Sequence, residues 1–233
     1  MTLTLFKTSL VSKIMTFLVA ALLSISAIAA DFDETLRLAN QGNAFAQFYV
    51  GNMYSNGQNV EQNDAKAREW YLKAANQGQI HAQYSLGMMY ERDQDYAKAI
   101  EWYEKAGNQG NDYAQYHLGT MYYEGYDIHQ DYAKAFEWFE KAAKRGDVSA
   151  QSNLGSMYYY GEGMPQDHIK AIEWYRKAAN QGDAYAQYAL GWMYHYGEGV
   201  PQNLTTAKEW LSRSCNSDYS DACEEYQILN IEE

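Results

Sequence analysis

The sequence predicts an all-α solenoid of antiparallel helix hairpins, five repeats long and finished by a capping helix at each end. Three observations carry this reading. Five of the six tryptophans, Trp70, Trp102, Trp138, Trp174 and Trp210, fall 32, 36, 36 and 36 residues apart, and a period in that range marks stacked repeats. Around each of them, small and apolar residues recur at helical spacing. Finally, Asn or Asp and then Gly punctuate the same places in nearly every copy.

The repeats span 44–79, 80–111, 112–147, 148–183 and 184–219, the second being four residues shorter than the rest. Position 3 is always alanine (Ala46, Ala82, Ala114, Ala150, Ala186) and position 8 always glycine (Gly51, Gly87, Gly119, Gly155, Gly191). Position 7 is apolar (Val50, Leu86, Leu118, Leu154, Leu190), and position 11 always tyrosine (Tyr54, Tyr90, Tyr122, Tyr158, Tyr194). Steps of four put positions 3, 7 and 11 on one face of a first helix, A. A glycine inside a helix costs about 1 kcal/mol of propensity. Its recurrence at position 8 therefore predicts a neighbouring helix packed too close to tolerate a Cβ.

After helix A, Gly57, Gly125, Gly161 and Gly197 recur, followed two residues later by Asn59, Asp127, Gly163 and Gly199. These residue types accept positive φ, so a left-handed turn is expected. Val60, Ile128, Met164 and Val200 come next and should plug the end of the helix pair. Asn63, Asp95, Asp131, Asp167 and Asn203 read as N-caps of a second helix, B. Helix B carries K-A-x-E-W-[YFL]-x-[KR], with the tryptophan and its neighbour as large core residues, and Gly78, Gly110, Gly146 and Gly182 close it. Glu91, Arg92, Asp93 and Gln94 replace the longer turn of the second repeat, whose helices should join more tightly. Residues 31–43, with Phe32, Leu36 and Ala39 on one face, read as an N-terminal capping helix, and 220–233 as a C-terminal one.

The first thirty residues have a different character. Lys7 and Lys13 precede an apolar run from Ile14 to Ile28, and Ala27 and Ala29 supply the small residues of a cleavage site after Ala29, or after Ala30. That is the pattern of a secretory signal peptide. A run of about 15 apolar residues is shorter than the ~20 that span a bilayer. Nothing after it is apolar enough to be a membrane span. Losing the two lysines takes the net charge from −12 to −14, and an acidic protein repels phosphate backbones, which argues against nucleic-acid binding. The acidity itself reads most simply as solubility.

These residues resemble the Sel-one-like repeat family, a relative of the tetratricopeptide repeats. The shared pattern is A-x-A-Q-x-x-L-G-x-x-Y-x-x-G-x-G-V-x-x-D-x-x-K-A-x-x-W-Y-x-K-A-A-x-Q-G, met almost in full at 148–183. The resemblance covers roughly 44–226. It implies a right-handed superhelix whose concave face is lined by A helices, and interaction or adaptor roles, often in bacterial envelopes. It also implies an alternative, because some cysteine-rich secreted members are linked to binding or hydrolysing β-lactams: a β-lactam- or peptidoglycan-related binder or hydrolase. Cys215 and Cys223 flank a helix end, a short turn and a helix start, so their side chains can face each other across a hairpin. They are either two buried thiols or the disulfide that the cysteine-rich members place at this spacing, which an oxidising compartment favours.

Catalysis finds no support in the motifs. S-x-x-K, S-D-N and K-T-G are all missing from the mature chain. His81, His117, His129, His168 and His195 each occupy a different repeat position, and no pair has the i, i+4 spacing of a metal-binding helix. The G-E-G turns lack the strand and the Lys-Ser/Thr of a phosphate loop. No cofactor and no metal are expected.

What remains is a variable stripe along helix A at positions 2, 5, 9 and 12. Its candidate recognition residues are Tyr84, Met88, Tyr113, Tyr116, Thr120, Tyr123, Ser156, Tyr159, Tyr185, Tyr188, Trp192 and His195. Tyr and Trp join apolar area to a polar tip, which suits a peptide groove. Position 5 is aromatic nearly throughout, which also fits packing between repeats; position 9 varies most. The sequence thus predicts a monomeric, periplasmic or secreted scaffold holding a protein or peptide in an aromatic groove. A purely structural envelope component is the third reading.

Overall fold

In the computed structural model, residues 32–126 and 129–231 are described. The expected leader, Asp127 and Ile128 of the third turn, and the last two residues lie outside them. Within the described residues there are twelve helices and no strand. They are α1 (32–40), α2 (Ala44–Asn56), α3 (Asp64–Asn76), α4 (Ile80–Arg92), α5 (Tyr96–Asn108), α6 (Asp112–Glu124), α7 (Tyr132–Lys144), α8 (Val148–Tyr160), α9 (His168–Asn180), α10 (Ala184–Tyr196), α11 (Leu204–Cys215) and α12 (Ser220–Ile231). The chain divides into two compact units, one ending at Leu86 and the other starting at Gly87.

Capping fixes where each helix starts and stops. The side chains of Asn63, Asp95, Asp131, Asp167 and Asn203 accept the backbone N–H three residues on, as a helix N-terminus requires. The A helices use the same device, which the sequence reading did not single out: Asn43, Asn111, Asp147 and Asp183 cap α2, α6, α8 and α10. Gly57, Gly125, Gly161 and Gly197 end those four helices in the left-handed conformation. In the second repeat only residues 93–95 separate α4 from α5, the tighter join that the shorter sequence predicts. Gln94 takes the positive φ there.

In the first unit α1 buries Ala39 against Ala46 and Val50 of α2, with Phe32, Leu36, Tyr54 and Trp70 packed around them. α2 pairs with α3. In the second unit α6 pairs with α7, α8 with α9 and α10 with α11, and each pair packs onto the next through α7–α8 and α9–α10.

The helix-A glycine explains the closeness of these pairs. A Cβ on Gly51 would lie 2.6 Å from the Tyr71 ring, and one on Gly87, Gly119 or Gly155 would lie 2.4–2.5 Å from Tyr103, Phe139 or Tyr175. At Gly191 the neighbour is Leu211, at 2.6 Å. The residue after each tryptophan therefore lies flat on the glycine, and it is this residue that is fully buried. Trp102 and Trp138 are buried as well, whereas Trp70, Trp174 and Trp210 are only half-buried, which corrects, for those three repeats, the expectation that both large residues of helix B sit in the core. A basic residue three positions on covers each of the five tryptophans, buried or half-buried. Lys73, Lys105, Lys141 and Lys177 place Nζ 3.6–3.9 Å above the rings of Trp70, Trp102, Trp138 and Trp174, and Arg213 covers Trp210 at 4.7 Å. Each such pair contributes about 0.5–1 kcal/mol at an exposed site.

The glutamine at position 4 joins successive hairpins. Gln47, Gln83, Gln115, Gln151 and Gln187 are buried. Each donates from Nε2 to a carbonyl eight residues back, on Ala39, Ala75, Gly107, Ala143 or Ala179. These carbonyls lie at the ends of the preceding helices, where each also accepts from the N–H of the closing glycine.

Candidate functional site

The variable stripe of helix A divides into two kinds of position. Position 12 bonds forward to the following repeat. The Tyr123 hydroxyl donates to Glu162 at 3.0 Å, and the Tyr159 hydroxyl donates to Glu198 at 2.7 Å. Both phenols are pushed up from their ordinary value by burial first and then by the accepting carboxylate. The acceptors are the central residues of the G-E-G turns, so those turns act as inter-repeat receptors. Gly163 and Gly199 let them approach, since a Cβ would lie 2.6 Å from the Tyr132 carbonyl oxygen or from the His168 Cβ, at φ of +80° and +71°. Glu91 at the same position meets His117 Nδ1 at 3.1 Å. That contact holds its carboxyl below the usual range. His195 meets Glu225 of α12 at 2.8 Å.

Position 5 splits. Tyr116 packs its ring on Phe139, and Tyr84 is half-buried in the first unit. Thr120 turns its hydroxyl to the Tyr116 carbonyl. Met88 and Tyr113 are exposed.

The remaining candidates converge. Tyr159, Tyr185, Tyr188 and Trp192 line one open cleft of about 420 Å³ between the fourth and fifth repeats. Trp192 stands edge-on to Tyr159, with centroids 6.1 Å apart. Ser156 bonds to two of the lining residues, accepting from the Tyr175 hydroxyl at 3.0 Å and lying 3.5 Å from that of Tyr185. Ser152, at position 5 where the second and third repeats carry tyrosine, donates to Asp183.

Sequence reasoning missed part of the lining. Tyr160, Ala189 and Met193 also line the cleft, on helix positions assigned to no role. Tyr175 had been placed in the core as the neighbour of Trp174, and its hydroxyl end reaches the cleft floor. Burial pushes its phenol well up. Tyr219 packs on two of the lining rings, 5.2 Å from Tyr188 and 6.2 Å from Tyr185. It stands within the loop closed by the Cys215–Cys223 disulfide, so the bridge that pins α12 to α11 also holds a ring that packs on Tyr185 and Tyr188.

The arrangement offers aromatic faces, phenolic hydroxyls and a few carboxylates. Among the described residues no three His, Cys, Asp or Glu gather to hold a metal ion. No helix among them is long and apolar enough to cross a membrane.

Comparison with known proteins bears on the fold and on the family. The Sel1 repeat profile matches residues 44–79, 80–111, 112–147, 148–183 and 184–219. A crystal structure of a protective antigen from uropathogenic Escherichia coli, displaying an SLR fold, is 37% identical with a TM-score of 0.77. The alignment covers 80% of this chain and 41% of that one, so the present chain spans about two fifths of its relative. A Sel1 repeat protein from Oxalobacter formigenes is 33% identical with a TM-score of 0.71, over 80% of this chain and 76% of the other. No protein with a curated description matches. Five consecutive profile matches, on helix hairpins spaced by the same glycine and glutamine contacts, show that the chain belongs to the Sel1 repeat family, whose members are generally protein-interaction scaffolds.

Proposed function

We propose that this chain is a non-catalytic scaffold of the bacterial envelope that binds a protein or peptide through the aromatic cleft of its fourth and fifth repeats. It is exported under the leader at 1–30 to the periplasm or beyond, and acts there as a monomer without a cofactor. The observation that carries this reading is the convergence of Tyr159, Tyr185, Tyr188 and Trp192, from two successive A helices, on one open cleft. Large aromatic residues with polar tips, gathered in a concavity, are what interface hot spots are made of. A net charge of −12 supports polypeptide over nucleic-acid partners.

Affinity capture from the envelope of the source cell tests the reading, comparing the native chain with Tyr159→Ala/Trp192→Ala. One partner retained by the first and lost by the second, at equal helicity, is the expected result. Equal capture by both would place binding elsewhere on the surface.

A further inference from the structure

We infer that the aromatic cleft takes a basic side chain of its partner polypeptide, arginine before lysine, stacked on the indole of Trp192. The inference rests on the reading of the cleft as the binding site and names the chemistry of the anchor.

The chain itself shows how its tryptophans are satisfied. Every helix-B tryptophan has a lysine or arginine three residues later, lying 3.6–4.7 Å above the ring centre. Trp192 is the sixth tryptophan, and it sits on a helix A. The residue three positions on is His195, which turns away to Glu225, its Nδ1 lying 2.8 Å from the carboxylate. Among the described residues no lysine or arginine lines the cleft. The half-buried indole of Trp192, with the Tyr196 ring packed 4.6 Å from it, thus lines an open cleft that has no basic residue among its lining.

The surroundings favour positive charge. Glu198 accepts the hydroxyl of Tyr159, a wall of the cleft. Glu225 accepts the hydroxyl of Tyr196, whose ring lies 4.6 Å from that of Trp192. The Tyr188 phenol is pushed up by burial first and then by Glu225 and Asp221, which places the rim in a negative field. The whole chain carries −12, so a basic partner is drawn toward it before contact. Guanidinium outranks ammonium here because it is planar, stacks on aromatic faces and is less strongly hydrated. A neighbouring carboxylate can accept from its remaining N–H groups.

The test uses the purified protein with its disulfide intact and two amidated Gly-Ser peptides, one carrying three arginines and the other three citrullines. Citrulline keeps the shape and removes the charge. The indole N–H resonance of Trp192, identified by its loss in Trp192→Leu, reports binding. The arginine peptide is expected to shift that resonance and to bind at least tenfold more tightly than the citrulline peptide. Titration calorimetry with the same peptides reads the variants, in which Trp192→Leu should remove at least tenfold of that affinity and Glu198→Gln a few-fold. Equal affinity for the two peptides, or arginine binding unchanged in Trp192→Leu, would overturn the inference, as would the absence of any shift at Trp192. The scaffold reading fails separately, when the native partner survives Tyr159→Ala/Trp192→Ala.

Discussion

Cys215 and Cys223 are bonded where, one repeat earlier, Gln187 donates to the carbonyl of Ala179. The two pairs have the same eight-residue separation, and the cysteines occupy the alanine and glutamine positions of the repeat. The bridge thus stands between α11 and α12 where the other repeats place a glutamine hydrogen bond. A covalent tie there replaces one hydrogen bond of about 1 kcal/mol with a closed loop that contributes about 2–3 kcal/mol.

This substitution of bond types is open to test. Cys215→Ala/Cys223→Ala should loosen α12, seen as faster amide exchange over Ser220–Ile231 with α2–α9 unchanged. Cys215→Ala/Cys223→Gln rebuilds the pattern of the other repeats and should recover about 1 kcal/mol of the loss. Equal exchange in both variants would mean that the glutamine position has no tying role at this end.

The glycine of helix A gives a second prediction. Gly155→Ala gains up to about 1 kcal/mol of helix propensity, but its Cβ would lie 2.4 Å from the Tyr175 ring. Overpacking of this kind costs about 1–3 kcal/mol, and the ring cannot retreat without disturbing the cleft floor. Thermal unfolding should show a lower midpoint for Gly155→Ala. An unchanged or raised midpoint would show that the two helices can separate freely.

Gln151→Leu supplies a third. The substitution keeps much of the buried volume but removes the 3.2 Å bond to the Ala143 carbonyl, which keeps only the Gly146 N–H at 3.1 Å. Losing one net hydrogen bond costs about 0.5–1.5 kcal/mol. Urea unfolding should register that loss, whereas Gln130→Leu, at an exposed turn residue whose amide also meets a carbonyl, should cost less.

The tyrosines predict behaviour at high pH. Tyr122 is pushed up to about 12 by burial first and then by Glu104, its hydrogen-bond partner at 3.2 Å. A phenol ionises near 10 in an unfolded chain. Because the folded value is higher, this stabilisation is complete below about pH 10 and is lost as pH rises through about 12. Phenolate absorbance should therefore show a late-titrating component that Tyr122→Phe diminishes. Glu91 has the opposite sign: its carboxyl is held low by His117, so the stability it lends is lost as pH falls.

Much of this fold is legible in the sequence because its contacts repeat. A glycine under a ring, a cap three residues before a lysine and a glycine closing each helix recur at fixed intervals, and each has one physical cause. The tryptophans were harder to place. Their size suggests the core, and only the geometry shows the lysine folded back over the indole. The cleft was half legible. The stripe at positions 2, 5, 9 and 12 contains Tyr159, Tyr185, Tyr188 and Trp192, yet the same stripe holds Tyr123, which is spent on Glu162, and Tyr116, which lies on Phe139. What separates them is spatial: Tyr185, Tyr188 and Trp192 of α10 meet Tyr159 of α8 at one cleft, a convergence between helices that position along one helix does not reveal.

The central claim, that a polypeptide docks on the aromatic cleft, is tested most directly by placing a photo-crosslinking amino acid at Trp192 and, separately, at Glu173 on the outer face of α9. Irradiation of living cells should join residue 192 to one partner polypeptide while residue 173 stays unjoined. An adduct at 173 with none at 192 would contradict the account and move the binding surface to the B helices.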